Sequence, residues 1–354
     1  MNIEDITSPA PKFNAEPWQM GSLISGDIKE DSIVLIFCSD YRGASKELET
    51  DWSSFRAYFY QLAKNDWEIP MVDIGEVILG KTVEDTRFVI EELISFFLYK
   101  NCIPVFIGGS LDLIKPEIFS LNFHQKNLEW SHVGAQINFS TQEENITADN
   151  VLFKIFTDKR LSIKNFHFLG YQQHLNNTAT LKLLENVDFN CLRLAELMGN
   201  AHRAEPYFRK SDFVSIDCNA VESNGTPFSV EPQVNGFNNR EICALMKEAG
   251  LSQHLKAVGI FNFSHQGNAN MQLLAQMIWY LTDGINIRKS HPKEQSFETY
   301  QVLIDDKTYT FKREVFSNLW YFGNSEKIEH CLPCSTEDYE EAKRGNLNKR
   351  FLMF

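Results

Sequence analysis

The stretch that decides the fold is residues 104–112, which read Pro-Val-Phe-Ile-Gly-Gly-Ser-Leu-Asp. Its four leading apolar residues predict a strand that is buried on both faces. The two glycines that follow predict a tight turn, and a helix is expected to begin near Leu111. A buried strand that leads through a turn into a helix is a βα unit, which is the repeating element of parallel sheets.

Strands and helices alternate on both sides of this unit. The predicted strands are Ser32–Cys38, Glu76–Leu79, Cys102–Ile107, Phe166–Gly170, Phe213–Asp217 and Ala257–Ile260. The predicted helices are Trp52–Lys64, Val83–Lys100, Asn190–Leu197, Asn239–Ala249 and Met271–Asp283. This alternation predicts an α/β protein with three layers, in which helices cover both faces of a mostly parallel sheet.

The pattern changes near residue 291. Two strand-like runs, Tyr300–Ile304 and Lys307–Phe311, flank a pair of aspartates and predict an antiparallel hairpin. A short helix is expected over Asp338–Arg344. We therefore divide the chain into an N-terminal arm (1–31), an α/β/α domain (32–290) and a C-terminal β-hairpin extension packed on that domain (291–354).

Composition and charge restrict the classes of partner. With 354 residues, 43% of them hydrophobic, the chain can bury a sizeable core. Its 34 Lys and Arg against 47 Asp and Glu give a net charge of -13, which disfavours nucleic acid and anionic membrane as partners. Neither a secretory signal nor an apolar run of roughly 20 residues is visible. Seven scattered cysteines predict reduced thiols and a cytoplasmic location.

Four segments, of which the first is the end of the stretch quoted above, have a recognisable order and spacing. They read Gly-Gly-Ser-Leu-Asp at 108–112, Gly-Ala-Gln-Ile-Asn at 134–138, Ser-Ile-Asp-Cys-Asn at 215–219 and Asn-Phe-Ser-His-Gln-Gly-Asn at 262–268. They resemble the segments G-G-D-H, D-A-H-x-D, S-x-D-x-D and E-x-N-P-x-x-D of the arginase-like family, with formiminoglutamases as the nearest branch. Weaker similarity extends the resemblance over residues 32–287. It implies the arginase-like α/β/α fold.

In active members of that family, two manganese ions are held at six ligand positions and activate a water that attacks a guanidinium or amidine carbon. The residues at these positions here are Leu111, Gly134, Gln136, Asn138, Asp217 and Asn219. Only Asp217 keeps a carboxylate, and leucine and glycine side chains cannot bind a metal at all. Asn262 replaces the glutamate that meets the substrate's cationic group. The resemblance therefore implies a site without catalytic residues, metal or other cofactor.

We expect a vestigial pocket to remain at these positions. Its predicted members are Leu111, Asp112, Gly134, Gln136, Asn138, Asp217, Asn219, Glu222 and Asn262. Its four neutral amides, from Gln136, Asn138, Asn219 and Asn262, can bind a small polar ligand or hydrogen-bond to one another, and we favour the second interpretation because buried polar groups need partners. A single rearranged metal site remains an alternative, formed from Asp112, Asp217, Glu222, His132 and His265.

Three other features are better explained by structure than by chemistry. Cys331 and Cys334 have C-x-x-C spacing, but no second metal-binding pair follows, so a structural loop is favoured over a zinc or redox site. Ser110 and Ser215 lack the sequence context of a nucleophile. The aromatic run Trp320–Phe322 is expected to pack rather than to stack on bases.

The hypothesis from sequence is a non-catalytic homologue of arginases and formiminoglutamases with a binding or scaffold role. Its expected partner is a protein or a small polar ligand, and a homo-oligomer is possible. One alternative is a C–N hydrolase that acts on amidino or guanidino compounds through a remodelled site. Another is a structural subunit of a homo- or hetero-oligomer. The presence or absence of the metal distinguishes an enzyme from a binding protein.

Overall fold

The structure is a computed structural model that describes residues 2–141, 144–187, 189–223, 225–352 and 354. The strands in these ranges are β1 (Thr7–Ser8), β2 (Ile33–Cys38), β3 (Met71–Val77), β4 (Ile103–Gly108), β5 (Leu128–Val133), β6 (Ile163–Tyr171), β7 (Asn190–Arg193), β8 (Phe213–Asp217), β9 (Ala257–Phe261), β10 (Phe297–Ile304), β11 (Lys307–Glu314), β12 (Trp320–Phe322) and β13 (Leu332–Cys334). The α-helices are α1 (Trp52–Phe59), α2 (Val83–Tyr99), α3 (Ile114–His124), α4 (Val151–Phe156), α5 (Thr178–Asn186), α6 (Leu194–Leu197), α7 (Glu205–Phe208), α8 (Asn239–Leu251), α9 (Asn268–Lys289), α10 (Thr336–Lys343) and α11 (Lys349–Leu352).

The main sheet of the described residues has nine strands in the order β1-β3-β2-β4-β9-β8-β5-β6-β7. The short edge strand β1 pairs antiparallel with β3, and the other strands run parallel. The predicted mostly parallel sheet is thus confirmed. The edge strand comes from the region predicted as an N-terminal arm, and it extends the sheet by one strand.

Each face of the sheet is covered by its own group of helices. Along β2, Ile33, Leu35 and Phe37 point into one core cluster, to which α1, α8 and α9 contribute. Val34 and Ile36 point into the other, to which α2, α3, α4 and α5 contribute. Because successive strand residues face opposite sides, the apolar run of β2 supplies both cores. This is the three-layer α/β/α arrangement predicted from the sequence.

Three parts of the main sheet differ from the sequence prediction. Strand β3 covers Met71–Val77, so the predicted strand Glu76–Leu79 begins five residues too late and only its first two residues lie in the strand. The other two differences concern β7 and β5. The predicted helix Asn190–Leu197 is wrong in its first half, because Asn190–Arg193 is strand β7, which pairs in parallel with β6. Strand β5 was not predicted at all. Its apolar pattern is interrupted by polar residues, including Ser131 and His132, which are fully buried but hydrogen-bonded. Hydrogen bonding to neighbouring strands overrides local preference at both places.

The C-terminal segment forms a second, antiparallel sheet of four described strands in the order β10-β11-β12-β13. The predicted hairpin is present, with Ile304 paired to Lys307, but two more strands extend it. A separate hydrophobic cluster around Phe311 and Phe322 joins this sheet to α10 and α11. No helix among the described residues is long and apolar enough to cross a membrane.

Candidate functional site

The carboxyl ends of the parallel strands bring the motif residues together. The chain adds strands on one side of β4 and then on the other, so the sheet order reverses where β4 meets β9. In open α/β sheets, binding sites form at this kind of reversal, beyond the carboxyl ends of the strands. The residues that end or follow β4, β8 and β9 here are Leu111, Asp217 and Asn262.

Asn262 links the three segments at this point. Its φ angle is 58°, in the left-handed region that asparagine tolerates better than most residues. Its backbone N–H donates to the Gly109 carbonyl at 2.8 Å, and its carbonyl accepts from the Val230 N–H at 2.9 Å. Its side-chain oxygen accepts from the Leu111 N–H at 3.1 Å, and its Nδ2 donates to Asp217 at 2.9 Å.

The Asp217 carboxylate is held by neighbouring amides. Its Oδ1 accepts hydrogen bonds from Asn262 Nδ2 and from the Asn219 N–H, both at 2.9 Å. The residue is only 2% exposed. Burial raises the pKa of Asp217 to about 6, although the two amide hydrogen bonds oppose that rise.

A small cavity of about 180 Å³ lies beside this cluster; we call it the carboxyl-end cavity. It is lined by Gly43, Ala44, Ser45, Asn138, Thr147, Ala148, Asp149, Asn219, Val230, Glu231 and Asn262. Asn138 Oδ1 and Thr147 Oγ1 are buried and have no hydrogen-bond partner among the described residues. Asp149 and Glu231, two exposed acidic residues, also belong to the lining and give its surroundings a negative charge.

Other predicted members of the pocket lie outside the cavity. Leu111 is fully buried in the core on the α2 and α3 side of the sheet. Gln136 is exposed and does not line the cavity. A Cβ atom at Gly134 would lie 2.8 Å from His132 Nε2, so this position has no room for any side chain unless the imidazole moves.

Asp112 supports the wall of the cavity from behind. It is fully buried, forms an ion pair with Arg87 and accepts a hydrogen bond from Ser110. Burial raises the pKa of Asp112, and the nearby Arg87 opposes the rise. A Cβ atom at Gly43 would lie 1.9 Å from the Asp112 carboxylate, so the loop after β2 can approach this ion pair only because residue 43 is glycine.

The residues proposed for the alternative single-metal site form hydrogen bonds with other groups and do not converge on one point. His132 Nδ1 hydrogen-bonds to Ser215 at 2.8 Å, and burial lowers the pKa of His132 to about 3. His265 Nδ1 accepts from the Asp51 N–H at 3.1 Å, and its pKa is lowered to about 4, also by burial. Glu222 lies outside the cavity lining, and the described residues contain no group of three His, Cys, Asp or Glu side chains placed to hold a metal ion.

The C-x-x-C and aromatic segments belong to the C-terminal sheet. Cys331 and Cys334 are buried free thiols, and burial raises the pKa of Cys334 far above its usual range. Trp320 of β12 packs against Tyr339 of α10, with ring centroids 4.3 Å apart. Ser215 accepts a hydrogen bond from Trp130 in the core under the main sheet.

Sequence reasoning did not find the loop residues that complete the cavity. Thr147 and Asp149 belong to the loop between β5 and α4, and Glu231 belongs to the loop between β8 and α8. They match no motif. They are also many residues away from the strand ends along the chain, so the sequence does not indicate that they lie beside the cavity. The one local signal is the run Thr-Ala-Asp-Asn at 147–150, which is typical of a turn before a helix.

Comparison with solved structures identifies the fold. A formiminoglutamase from Trypanosoma cruzi, in its manganese-bound form, superimposes with a TM-score of 0.68 at 16% identity, covering 76% of this chain and 99% of that one. The formimidoylglutamase of Bacillus subtilis matches with a TM-score of 0.68 at 12% identity, over 78% of this chain and 95% of that one. Proclavaminate amidino hydrolase from Streptomyces clavuligerus superimposes with a TM-score of 0.64 at 14% identity, covering 77% of this chain and 98% of that one.

These similarities establish an arginase-like fold with formiminoglutamases among its structural neighbours, as the sequence predicted. No protein-family model matches the chain, and no curated protein sequence matches it. At identities of 12–16%, the likeness concerns the fold and leaves the chemistry of the site to its own residues.

Proposed function

We propose that this arginase-like chain is a non-catalytic protein that holds no pair of manganese ions and binds a small ligand rich in N–H donors in its carboxyl-end cavity. The observation that carries the proposal is the hydrogen bond from Asn262 Nδ2 to Asp217 Oδ1. Asp217 has the one carboxylate among the six ligand positions, and through this bond its partner is a neutral amide instead of a metal ion.

The donor set does not fit a binuclear manganese centre. Leu111 and Gly134 have no ligand atom, and Gln136 is exposed. Asn138 and Asn219 offer neutral amide oxygens, which do not offset the charge of two divalent cations. Asn219 Oδ1 also accepts from the Glu231 N–H at 3.0 Å.

The lining of the cavity favours a ligand that donates hydrogen bonds. Asn138 Oδ1 is a buried acceptor without a described partner, and a buried polar group left unpaired costs about 1–3 kcal/mol. The carboxylates of Asp149 and Glu231 favour a positive charge on the ligand. A volume of 180 Å³ corresponds to about six water molecules. An amidinium or guanidinium group satisfies all three conditions, and proclavaminate amidino hydrolase has the same fold.

The binding proposal is tested by calorimetry with formamidinium and guanidinium at concentrations too low to unfold the protein, with urea as a neutral control. We expect saturable binding of at least one cation and weaker binding of urea. Asn138→Ala removes the unpaired acceptor and should weaken binding about 10-fold, equivalent to about 1.4 kcal/mol. The matched control Asn186→Ala, at an exposed position on α5, should bind normally. Equal affinity of wild type and Asn138→Ala would contradict the proposal.

The hydrolase alternative is tested separately by product release. With added manganese, arginine, agmatine and formiminoglutamate should yield no urea, ammonia or formamide above background, because no metal-activated water is available to attack the substrate carbon. Hydrolysis by the wild type that disappears in Asp217→Ala would establish the enzyme and end the non-catalytic interpretation.

A further inference from the structure

A second and larger cavity lies at the opposite end of the main sheet. It has a volume of about 780 Å³ and lies between the C-terminal sheet and the segments that precede β8 and β9. We call it the amino-end cavity, because those segments lead into the amino ends of these strands. Its volume is within the range of about 300–1,000 Å³ that is usual for small-molecule sites.

Hydrogen bonds join the segment between α7 and β8 to the C-terminal sheet beside this cavity. Arg209 Nη1 donates to the Trp320 carbonyl at 2.6 Å, and Nη2 donates to the Cys334 carbonyl at 3.2 Å. Lys210 Nζ donates to the carbonyls of Glu329 and Cys331, both at 2.8 Å. Both walls are therefore fixed before any ligand arrives.

Most charges around the cavity are already paired. Both carboxylate oxygens of Glu205 accept hydrogen bonds from Arg209. Glu337 is paired with Arg203 at 2.7 Å. These two acidic side chains are therefore not free to pair with a ligand.

Glu248 differs from these two acids, because it is buried while its partner His202 is exposed. The residue is 5% exposed, and its carboxylate lies 2.6 Å from His202 Nδ1. The His202 side chain is 85% exposed, so it can swing into solvent without losing core contacts. Burial raises the pKa of Glu248, and the neighbouring His202 opposes the rise.

The rest of the lining suits a ligand with an apolar body. Leu251, Ile287, Leu319 and Trp320 all contribute to the wall. The net charge of -13 further favours a cation over an anion.

We propose that the amino-end cavity binds an organic ammonium ion with an apolar body, whose ammonium group replaces His202 as the partner of the Glu248 carboxylate. The site is separate from the carboxyl-end cavity, at the other end of the same strands. It does not depend on the function proposed for that cavity.

The probe for the test is benzylammonium, compared with benzyl alcohol as a neutral analogue and phenylacetate as an anionic one. Calorimetry on the full chain should show saturable binding of benzylammonium at concentrations below about 10 mM, and much weaker binding of the two analogues. A preference for phenylacetate, equal binding of all three, or no binding of benzylammonium would each overturn the proposal.

Two variants locate the ammonium group and are expected to differ in direction. Glu248→Gln removes the charge and should weaken benzylammonium binding about 10-fold or more. His202→Ala removes the competing partner and should leave binding unchanged or tighter, and its exposed position protects folding. Glu92→Gln, exposed on α2 and far from the lining, is the control and should bind as the wild type does. Undiminished binding by Glu248→Gln, or a clear loss in His202→Ala, would place the ligand elsewhere.

Discussion

Asn262 shows how an amide side chain can join two strand ends through hydrogen bonds in both directions. An amide both donates and accepts hydrogen bonds, whereas an ionised carboxylate only accepts. Asn262 can therefore donate to Asp217 while it accepts from the Leu111 N–H. A glutamate at this position could not donate to Asp217 and would repel it. The cluster is thus consistent with a site that needs no cation to be stable.

The pH dependence of stability tests this description of Asp217. Its pKa is raised from 3.8 to about 6 in the folded protein, so its contribution is fully present below pH 4 and is lost as the pH rises to about 6. The loss amounts to about 3 kcal/mol, since each pKa unit corresponds to about 1.4 kcal/mol. Asp217→Asn keeps an acceptor for both amides without the charge.

We expect Asp217→Asn to be more stable than the wild type at pH 7 and to lose this advantage at pH 4. The measurement is the free energy of unfolding of both proteins, from urea titrations at pH 7 and at pH 4. An advantage of the variant that is the same at both pH values would contradict the assignment of the raised pKa to Asp217.

At this scale the sequence predicted which residues occupy the motif positions but not where every side chain points. Asp217, Asn219 and Asn262 end or follow strands. Because parallel strands end at the same edge of the sheet, the proximity of these residues could be predicted. Gln136 lies in the loop after β5, where strand alternation no longer fixes direction, and it is exposed. The role of Thr147 depends on the conformation of a long loop, for which the sequence carries no periodic signal.

At the scale of elements, helix α3 carries a buried acid that no described group satisfies. Glu117 is fully buried, and neither carboxylate oxygen has a hydrogen-bond partner among the described residues. It lies over Gly259 of β9, where a Cβ atom would be 2.8 Å from Glu117 Oε1. Burial raises the pKa of Glu117 well above its usual range.

Because this pKa is higher in the folded than in the unfolded chain, Glu117 costs stability as the pH rises above about 4.3. We expect Glu117→Met to raise the free energy of unfolding by about 1–3 kcal/mol at pH 7, with less effect at pH 4. The control is Glu92→Met, at an exposed position on α2, which should change the free energy of unfolding by less than about 0.5 kcal/mol. Destabilisation by Glu117→Met, measured by urea unfolding, would mean that the carboxyl group has a stabilising partner.

Elements with a regular apolar pattern were predictable, and those fixed by neighbouring strands were not. The start of α2 was predicted at Val83, and Thr82 and Asp85 form a capping box there. The run Leu128–Val133 carries buried polar residues, whose partners come from other parts of the chain. Such partners are invisible in a local pattern, so β5 was missed.

At the scale of the whole molecule, Arg209 connects the C-terminal sheet to the main domain. It is buried, pairs with Glu205 and donates to two carbonyls of that sheet. Arg209→Met should lower the free energy of unfolding by about 2–4 kcal/mol, because it leaves the half-buried Glu205 without its partner and removes two hydrogen bonds to the C-terminal sheet. The double variant with Glu205→Met should recover part of this loss in urea unfolding. An unchanged free energy in Arg209→Met would show that other contacts hold the C-terminal sheet.

Thermal stability should not depend on divalent metal. The amides around Asp217 are paired in the protein alone, so chelator and added manganese should give melting temperatures within about a degree of each other. A ligand that binds only the native state at 100 times its dissociation constant adds about 2.7 kcal/mol, which would raise the melting temperature by several degrees. A rise with manganese that is absent in Asp217→Ala would reveal a rearranged metal site.

The central claim is that an arginase-like fold is kept here without its manganese centre. Calorimetric titration of the metal-free protein with manganese, followed by elemental analysis after removal of free metal, tests it most directly. We expect no tight binding and no retained manganese, because the sequence resemblance assigns five of the six ligand positions to residues without a carboxylate or imidazole, namely Leu111, Gly134, Gln136, Asn138 and Asn219. Retention of about two manganese ions per chain would contradict the account.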